Sequence, residues 1–256
     1  MGLLETIYVL TYRELKSAYG TKEDLLMGLI SAIADIAIFG FGFGSAIGLG
    51  VSNYLLFLAP GLLAAAAFYV PRSDGLHIFQ ERIRGFLRGL QIAPVPRLHL
   101  VLGKATAAIA DMAGFAVVYV IMLFALGVRS TLSAFLLVPI AMVLMALGSF
   151  SLGAIIGCRS KSWRTNQLMG NTMLWPVFMM CGAYFPLTNI SGDLATILYL
   201  NPFVYSTDLI RWAFYGIGNI SLFTDISVVV VFDAVMLALA AFAFEKMRFN
   251  DAKDYW

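Results

Sequence analysis

Charge is scarce in this chain. Asp, Glu, Lys and Arg supply 12% of its 256 residues, about half their share in an average soluble domain. That leaves too little polar surface to cover a water-facing globule of this length. Histidine and cysteine occur twice each. His77 and His99 stand far apart with no ligand cluster, and Cys158 and Cys181 fall in different apolar runs, so neither a metal centre nor a disulfide is expected. No H-E-x-x-H occurs, and "SFSLG" at 149–153 lacks the first glycine of a G-x-S-x-G elbow. A phosphate-cradling G-x-x-x-x-G-K-[ST] loop is also missing, because Gly103-Lys104 has neither the preceding glycine nor the following hydroxyl. An enzyme is therefore not expected, and no nucleic-acid partner is expected. The first residues show no apolar core followed by a small-residue cleavage site, so no removable leader is expected either.

What fills the chain instead is apolar: 61% of residues are hydrophobic. Runs such as "LLMGLISAIADIAIFGFGFG" and "VVVVFDAVMLALAAFAF" approach the roughly 20 residues a helix needs to cross a bilayer. Continuous apolar runs exclude a membrane barrel, whose strands alternate. Helices satisfy their own backbone groups in lipid. The fold class is therefore all-α, a polytopic membrane helical bundle forming a single domain over 1–256. Hydropathy places six spans at Leu25–Gly44, Tyr54–Val70, Leu98–Leu126, Leu132–Gly157, Asn166–Phe185 and Thr224–Phe244.

Lys and Arg set the orientation. With the N-terminus inside, every one of the 17 basic residues lies on the inner side except Arg129 and Arg211, so both termini are expected in the cytoplasm of a cell (plasma or inner) membrane protein. Before the first span, Leu4, Tyr8, Tyr12, Leu15 and Tyr19 recur at helical spacing with Arg13, Glu14 and Lys16 largely off that stripe. Residues 1–22 thus read as an amphipathic helix in contact with membrane lipids. The outer connection, 186–223, has apolar pieces too short to span, broken at Gly192, Asn201-Pro202 and Gly216. Short re-entrant helices are expected there. Glycines at 40, 42, 44 and 48, and again at 148, 153 and 157, predict close helix packing or a bend.

The scarce charge concentrates in the inner loop, 72–97. In "FQERIRGFLRGLQIAPVPRLHLVLGKA", Phe79, Ile83, Phe86/Leu87 and Leu90 share one helical face, and Glu81, Arg84 and Arg88 another. Pro94 and Pro96 then stop the helix. Such an element is either a surface helix with orienting arginines or one that receives motion from a cytoplasmic partner. "YLLFLAPGLL", "ERIRGFLRGLQIAPVPRLHLVLGKA" and "GAYFPLTNISGDLATILYLNPFVYSTDLIR", in that order, together with "TYRELKSAYG" near the start, resemble the membrane subunit of type-2 ABC exporters over nearly the whole chain. The middle stretch resembles that family's E-R-x-x-G…L…A-P-V-x-R…G-K inner loop. The third resembles its outer loop, with Asn201, Pro202, Asp208 and Arg211 matching the late part.

The resemblance implies a half-transporter that pairs with a second copy or a paralogue and with separate ATPase subunits. ATP and magnesium would be bound by those ATPases and no cofactor by this chain. On that reading Glu81, Arg82, Arg84, Gly85 and Arg88 form the docking region, with Arg13 and Lys16 adding contacts. The cargo would be amphipathic or lipid-like, multidrug export included, with export of a glycoconjugate or polysaccharide as the alternative. Asp35, Asp111 and Asp233 lie inside spans, where a carboxylate costs about 3 kcal/mol to insert. Each reads as a transport-path or proton-relay group, or as a group hydrogen-bonded to a neighbouring helix. A proton-coupled carrier using Asp35 and Asp111 is the rival without an ATPase. Trp175 and Phe185 belong to an outer aromatic set that reads as an interfacial belt or as a ring around a substrate exit. Asp208 and Arg211, three residues apart, are expected to pair.

Overall fold

The computed structural model of the protein describes residues 8–9, 11–13, 16, 22–46, 51–85, 97–130, 134–187, 190 and 192–247. Every regular element among them is helical. Helix α1 (Lys22–Asp35) runs directly into a π-helical stretch, Ile36–Phe43. Then follow α2 (Val51–Ile83), α3 (Arg97–Ala125) and α4 (Ala134–Arg159). The next segment is broken: α5 (Trp163–Gln167), a second π-helical stretch (Leu168–Met173) and α6 (Leu174–Met179). Two short helices, α7 (Asp193–Tyr199) and α8 (Pro202–Tyr215), lead to α9 (Leu222–Glu245).

Among the described residues four helices are long and apolar enough to cross a membrane: Tyr54–Ile83, Leu98–Ala125, Ala134–Arg159 and Leu222–Glu245. The expected first and fifth spans are helical but interrupted. In the first, a π stretch that holds Gly40 and Gly42 follows Asp35, and in the fifth a π stretch precedes Pro176. The outer connection does break where its sequence says. Gly192 precedes α7, Asn201 caps α8, and Gly216, at φ 76°, ends it.

α2 is the hub. Its side chains from Leu58 to Phe68 are buried almost without exception, and residues 72–83, within the stretch read as inner loop, continue the helix. At 33 residues it is about 50 Å long, against a hydrocarbon core of about 30 Å. It holds two prolines, Pro60 and Pro71. Each removes one N–H and so frees the carbonyl four residues earlier. Hydroxyls from other helices take both. Ser149 Oγ on α4 donates to Ala67 O at 2.9 Å, and Tyr215 OH on α8 donates to Leu56 O at 2.7 Å.

α2 and α4 meet through glycines. A Cβ on Gly153 would collide with the Arg72 carbonyl, one on Gly157 would lie 2.7 Å from Gly75 O, and one on Gly75 would lie 2.5 Å from Phe150 O. This Gly-x-x-x-Gly contact lets the two backbones touch, as small-residue faces do in membranes. α3 and α9 flank this core and leave Val117, Ile121, Val231 and Leu239 exposed, as lipid-facing side chains would be.

Candidate functional site

The end of α2 gathers the charge that the sequence concentrates there. Glu81 is held from two sides: Arg13 Nη2 donates to its Oε1 at 2.9 Å, and Lys104 Nζ on α3 lies 2.6 Å from its Oε2. Thr11 and Thr106 pair beside them at 3.2 Å. Residues 11–13 are helical, with Tyr12 exposed and Arg13 turned inward, so this turn is fastened to α2 and α3 through Glu81. Arg82 is buried. It donates to Cys158 O at 2.8 Å and to Ser160 O, capping the last carbonyls of α4, and its guanidinium lies over the Phe79 ring at 5.1 Å. A cation there also complements the negative end of the helix. Only then does the chain open to solvent: Arg84 is exposed, and Gly85 turns at φ 76° with open space around it. Lys16 is exposed and helical, and Arg88 lies outside the described residues.

The intramembrane carboxylates do not converge. Asp35 sits where α1 becomes π-helical, and its Oδ2 accepts a 2.6 Å bond from Tyr119 OH on α3. The Tyr69 and Tyr184 phenols lie within electrostatic range of it. Asp111 is half-buried on α3, eight residues before Tyr119, or about 12 Å along the helix. Asp233 packs against the bare backbone of Gly148, where a Cβ would meet its Oδ1 at 2.5 Å. Phe185 is half-buried beside Tyr184, whereas Trp175 is exposed on the broken segment.

That broken segment is the second focus of polar contacts. Four carbonyls, two within it and two in the turn that follows, are bonded by side chains from other elements. Arg72 donates to Gly170 O, Asn201 Nδ2 to Val177 O at 2.6 Å, Arg211 Nη2 to Gly182 O at 3.1 Å, and Tyr54 OH to Tyr184 O at 2.8 Å. Non-helical backbone at membrane depth is tolerated when its polar groups are satisfied in this way. Asn201 does double duty, since its Oδ1 also accepts from Phe203 N while Pro202 takes the first helical position.

Asp208 and Arg211 do not form the expected pair: no ion pair joins them among the described residues. The Asp208 carboxylate instead accepts from Asn219 N, Asn219 Nδ2 and Ile220 N, fastening the 216–221 turn. Arg211 is over the Phe57 ring at 4.2 Å. Burial pulls its guanidinium below the ordinary value, an effect the Asp208 charge opposes. Burial also pushes Tyr215 up to about 12. Asp208, Arg211, Thr207 and Cys181 help line a cleft of about 20 Å³, room for roughly one water.

The sequence reading passed over several of these groups. Tyr54 and Ser149 looked like ordinary span residues, and Arg72 was counted only as an orienting charge. Asp225 carries no comparable signal in the sequence, yet it is fully buried and neither of its carboxylate oxygens has a hydrogen-bond partner among the described residues. Pro71 is the available signal for Ser149, and Pro60 for Tyr215, because each announces a carbonyl in need of a donor.

Comparison with known proteins bears on the same stretch. A model of the family described as "ABC-2 type transporter" matches residues 5–215. The "Inner membrane transport permease YadH" of Escherichia coli (strain K12) is 25% identical over 214 residues, covering 82% of each chain. "Nodulation protein J" of Neorhizobium galegae is 28% identical over 198 residues, covering 73% of this chain and 74% of its own. That of Rhizobium leguminosarum bv. trifolii is 28% identical over 202 residues, with 74% and 75% covered. With its long apolar helices and a family match running from residue 5 to the end of α8, the chain belongs to the ABC-2 type transporter family, as a non-catalytic membrane permease.

Proposed function

We propose that this permease moves an amphipathic or lipid-like substrate outward across an inner (plasma) membrane by alternating access. It works with a second copy or a paralogue, and with separate ATPase subunits that carry the ATP and magnesium. Its α1 and broken fifth segments act as interrupted spans, giving six crossings with both termini in the cytoplasm. α7 and α8 dip into the outer leaflet as re-entrant helices.

One observation carries the reading. α2 runs without a break from the buried core to the Glu81–Gly85 tip, and there it is fastened to three other elements: the N-terminal helix through Arg13, α3 through Lys104, and α4 through Arg82. A push at the exposed tip would therefore move spans and not merely a loop. Glu81 and Arg82 act as internal fasteners, and Arg84 with Gly85 forms the surface an ATPase meets. The apolar exterior, with side-chain hydrogen bonds gathered around one interrupted segment, favours a lipid-like cargo over a sugar chain, which calls for polar residues on several spans.

Charge reversal separates the two roles. Arg84→Glu is expected to weaken ATPase association and ATP-dependent export while helix content and thermal stability stay unchanged. Lys104→Met is expected to lower stability first, since it removes one of the two cations on Glu81. Undiminished association and export in Arg84→Glu would place the ATPase contact elsewhere.

A further inference from the structure

Arg72 lies eleven residues before the Ile83 end of α2, about 16 Å along the helix, and is 7% exposed. Its guanidinium rests over the rings of Tyr69 and Phe68, 5.3 and 5.9 Å from their centroids. One N–H donates to Gly170 O, Nε is buried without a hydrogen-bond partner, and among the described residues no carboxylate lies within ion-pair distance. Asp74, two residues on, faces away around the helix and meets His77. A buried cation without an opposite charge is costly. Ring faces and one carbonyl offset part of that cost, but they leave a fork of N–H groups whose geometry suits a bidentate oxyanion.

The surroundings say what kind of molecule carries that oxyanion. Gly170 belongs to the π stretch of the broken segment, which exposes Met169 and Met173 on either side of it and Trp175 just beyond. Apolar surface thus lies beside a single buried cation. Resting on the permease reading above, we infer that Arg72 binds the phosphate, sulfate or carboxylate headgroup of an amphiphilic substrate. The anion competes with the Gly170 carbonyl for the guanidinium. Binding therefore frees the carbonyl that ties the broken segment to α2, and headgroup charge is read at the same place where the segment is released.

The test needs no ATPase. The full chain in a non-ionic detergent is titrated with dodecyl phosphate and with dodecyltrimethylammonium, which has the same tail and the opposite charge, following Trp fluorescence. Wild-type protein is expected to prefer the phosphate by at least about tenfold, the scale of one charge-assisted hydrogen bond. Arg72→Gln is expected to abolish that preference and Arg72→Lys to retain part of it. Competition by inorganic phosphate would identify a free anion as sufficient, and its failure would identify a tailed headgroup. Equal affinity for the two amphiphiles in wild type, or a preference that survives in Arg72→Gln, overturns the inference. Should Arg72→Gln not fold, the wild-type preference and the Arg72→Lys titration decide it. A charge preference in a chain that brings no ATPase with it out of native membranes would sink the transporter assembly and leave this site standing.

Discussion

Serine 149 and tyrosine 215 show how single hydroxyls make a proline-bearing span possible. Each occupies a carbonyl that a proline in α2 has freed, and the Ala67 carbonyl under Ser149 is buried. Ser149→Ala is expected to cost about 1–3 kcal/mol, the penalty for leaving a buried acceptor unmade. Tyr215→Phe should cost less, since Tyr215 is only half-buried. Thermal unfolding in detergent measures both. The diagnostic variant is Ser149→Ala combined with Pro71→Ala, which restores the N–H and should recover most of the loss. No recovery would mean that Ser149 matters through packing instead. None of this pairing was legible along the chain, because a proline states that a carbonyl is free but not which distant residue reaches it. Glu81 was legible as important but not in its role. A dense charge run looks like an exposed surface, whereas here its first two members turn inward and Arg84 alone of the described ones faces out.

Elements show the same division between what pattern reveals and what contact decides. Glycine spacing at 153 and 157 predicted a close helix approach, and α2 supplies the partner through Gly75. Gly153→Leu should drive these backbones apart and destabilise by more than the roughly 1–3 kcal/mol of ordinary overpacking, because the obstacle is the Arg72 carbonyl and not a side chain that can turn away. The same change at Gly85, which has open space around it, should leave packing untouched and strain only the turn. Lower yield and stability for Gly153→Leu than for Gly85→Leu is the expected order, and the reverse would contradict the contact. Apolar length alone also predicted an unbroken fifth span. Hydropathy cannot see a π stretch, since it reads side-chain composition and not the register of backbone hydrogen bonds. What betrays the break is the set of donors that gather on it. Asn201→Ala removes two of those bonds at once, the cap of α8 and the Val177 tie. About 1–2 kcal/mol should be lost, at the upper end for a cap, with faster amide exchange in α6 as well as α8. Exchange that quickens in α8 alone would show that the tie to the broken segment carries no weight.

For the whole molecule, composition and the order of motifs sufficed to name the class. Scarce charge excluded a soluble enzyme, long apolar runs required helices, and the family match covers most of the chain. The mechanical arrangement was not legible, because it depends on which helix sits in the middle. α2 holds that place, with prolines, glycines and three buried or fastened charges along one rod. Its continuity to an exposed tip is what makes an external motor plausible in physical terms. The measurement that tests this most directly is purification of the full chain from native membranes in a mild detergent, with mass spectrometry of what accompanies it. The account predicts a stoichiometric ATPase carrying a phosphate-binding loop, retained by wild type and lost from Arg84→Glu. A chain that purifies alone, under conditions where other membrane complexes survive, would contradict it.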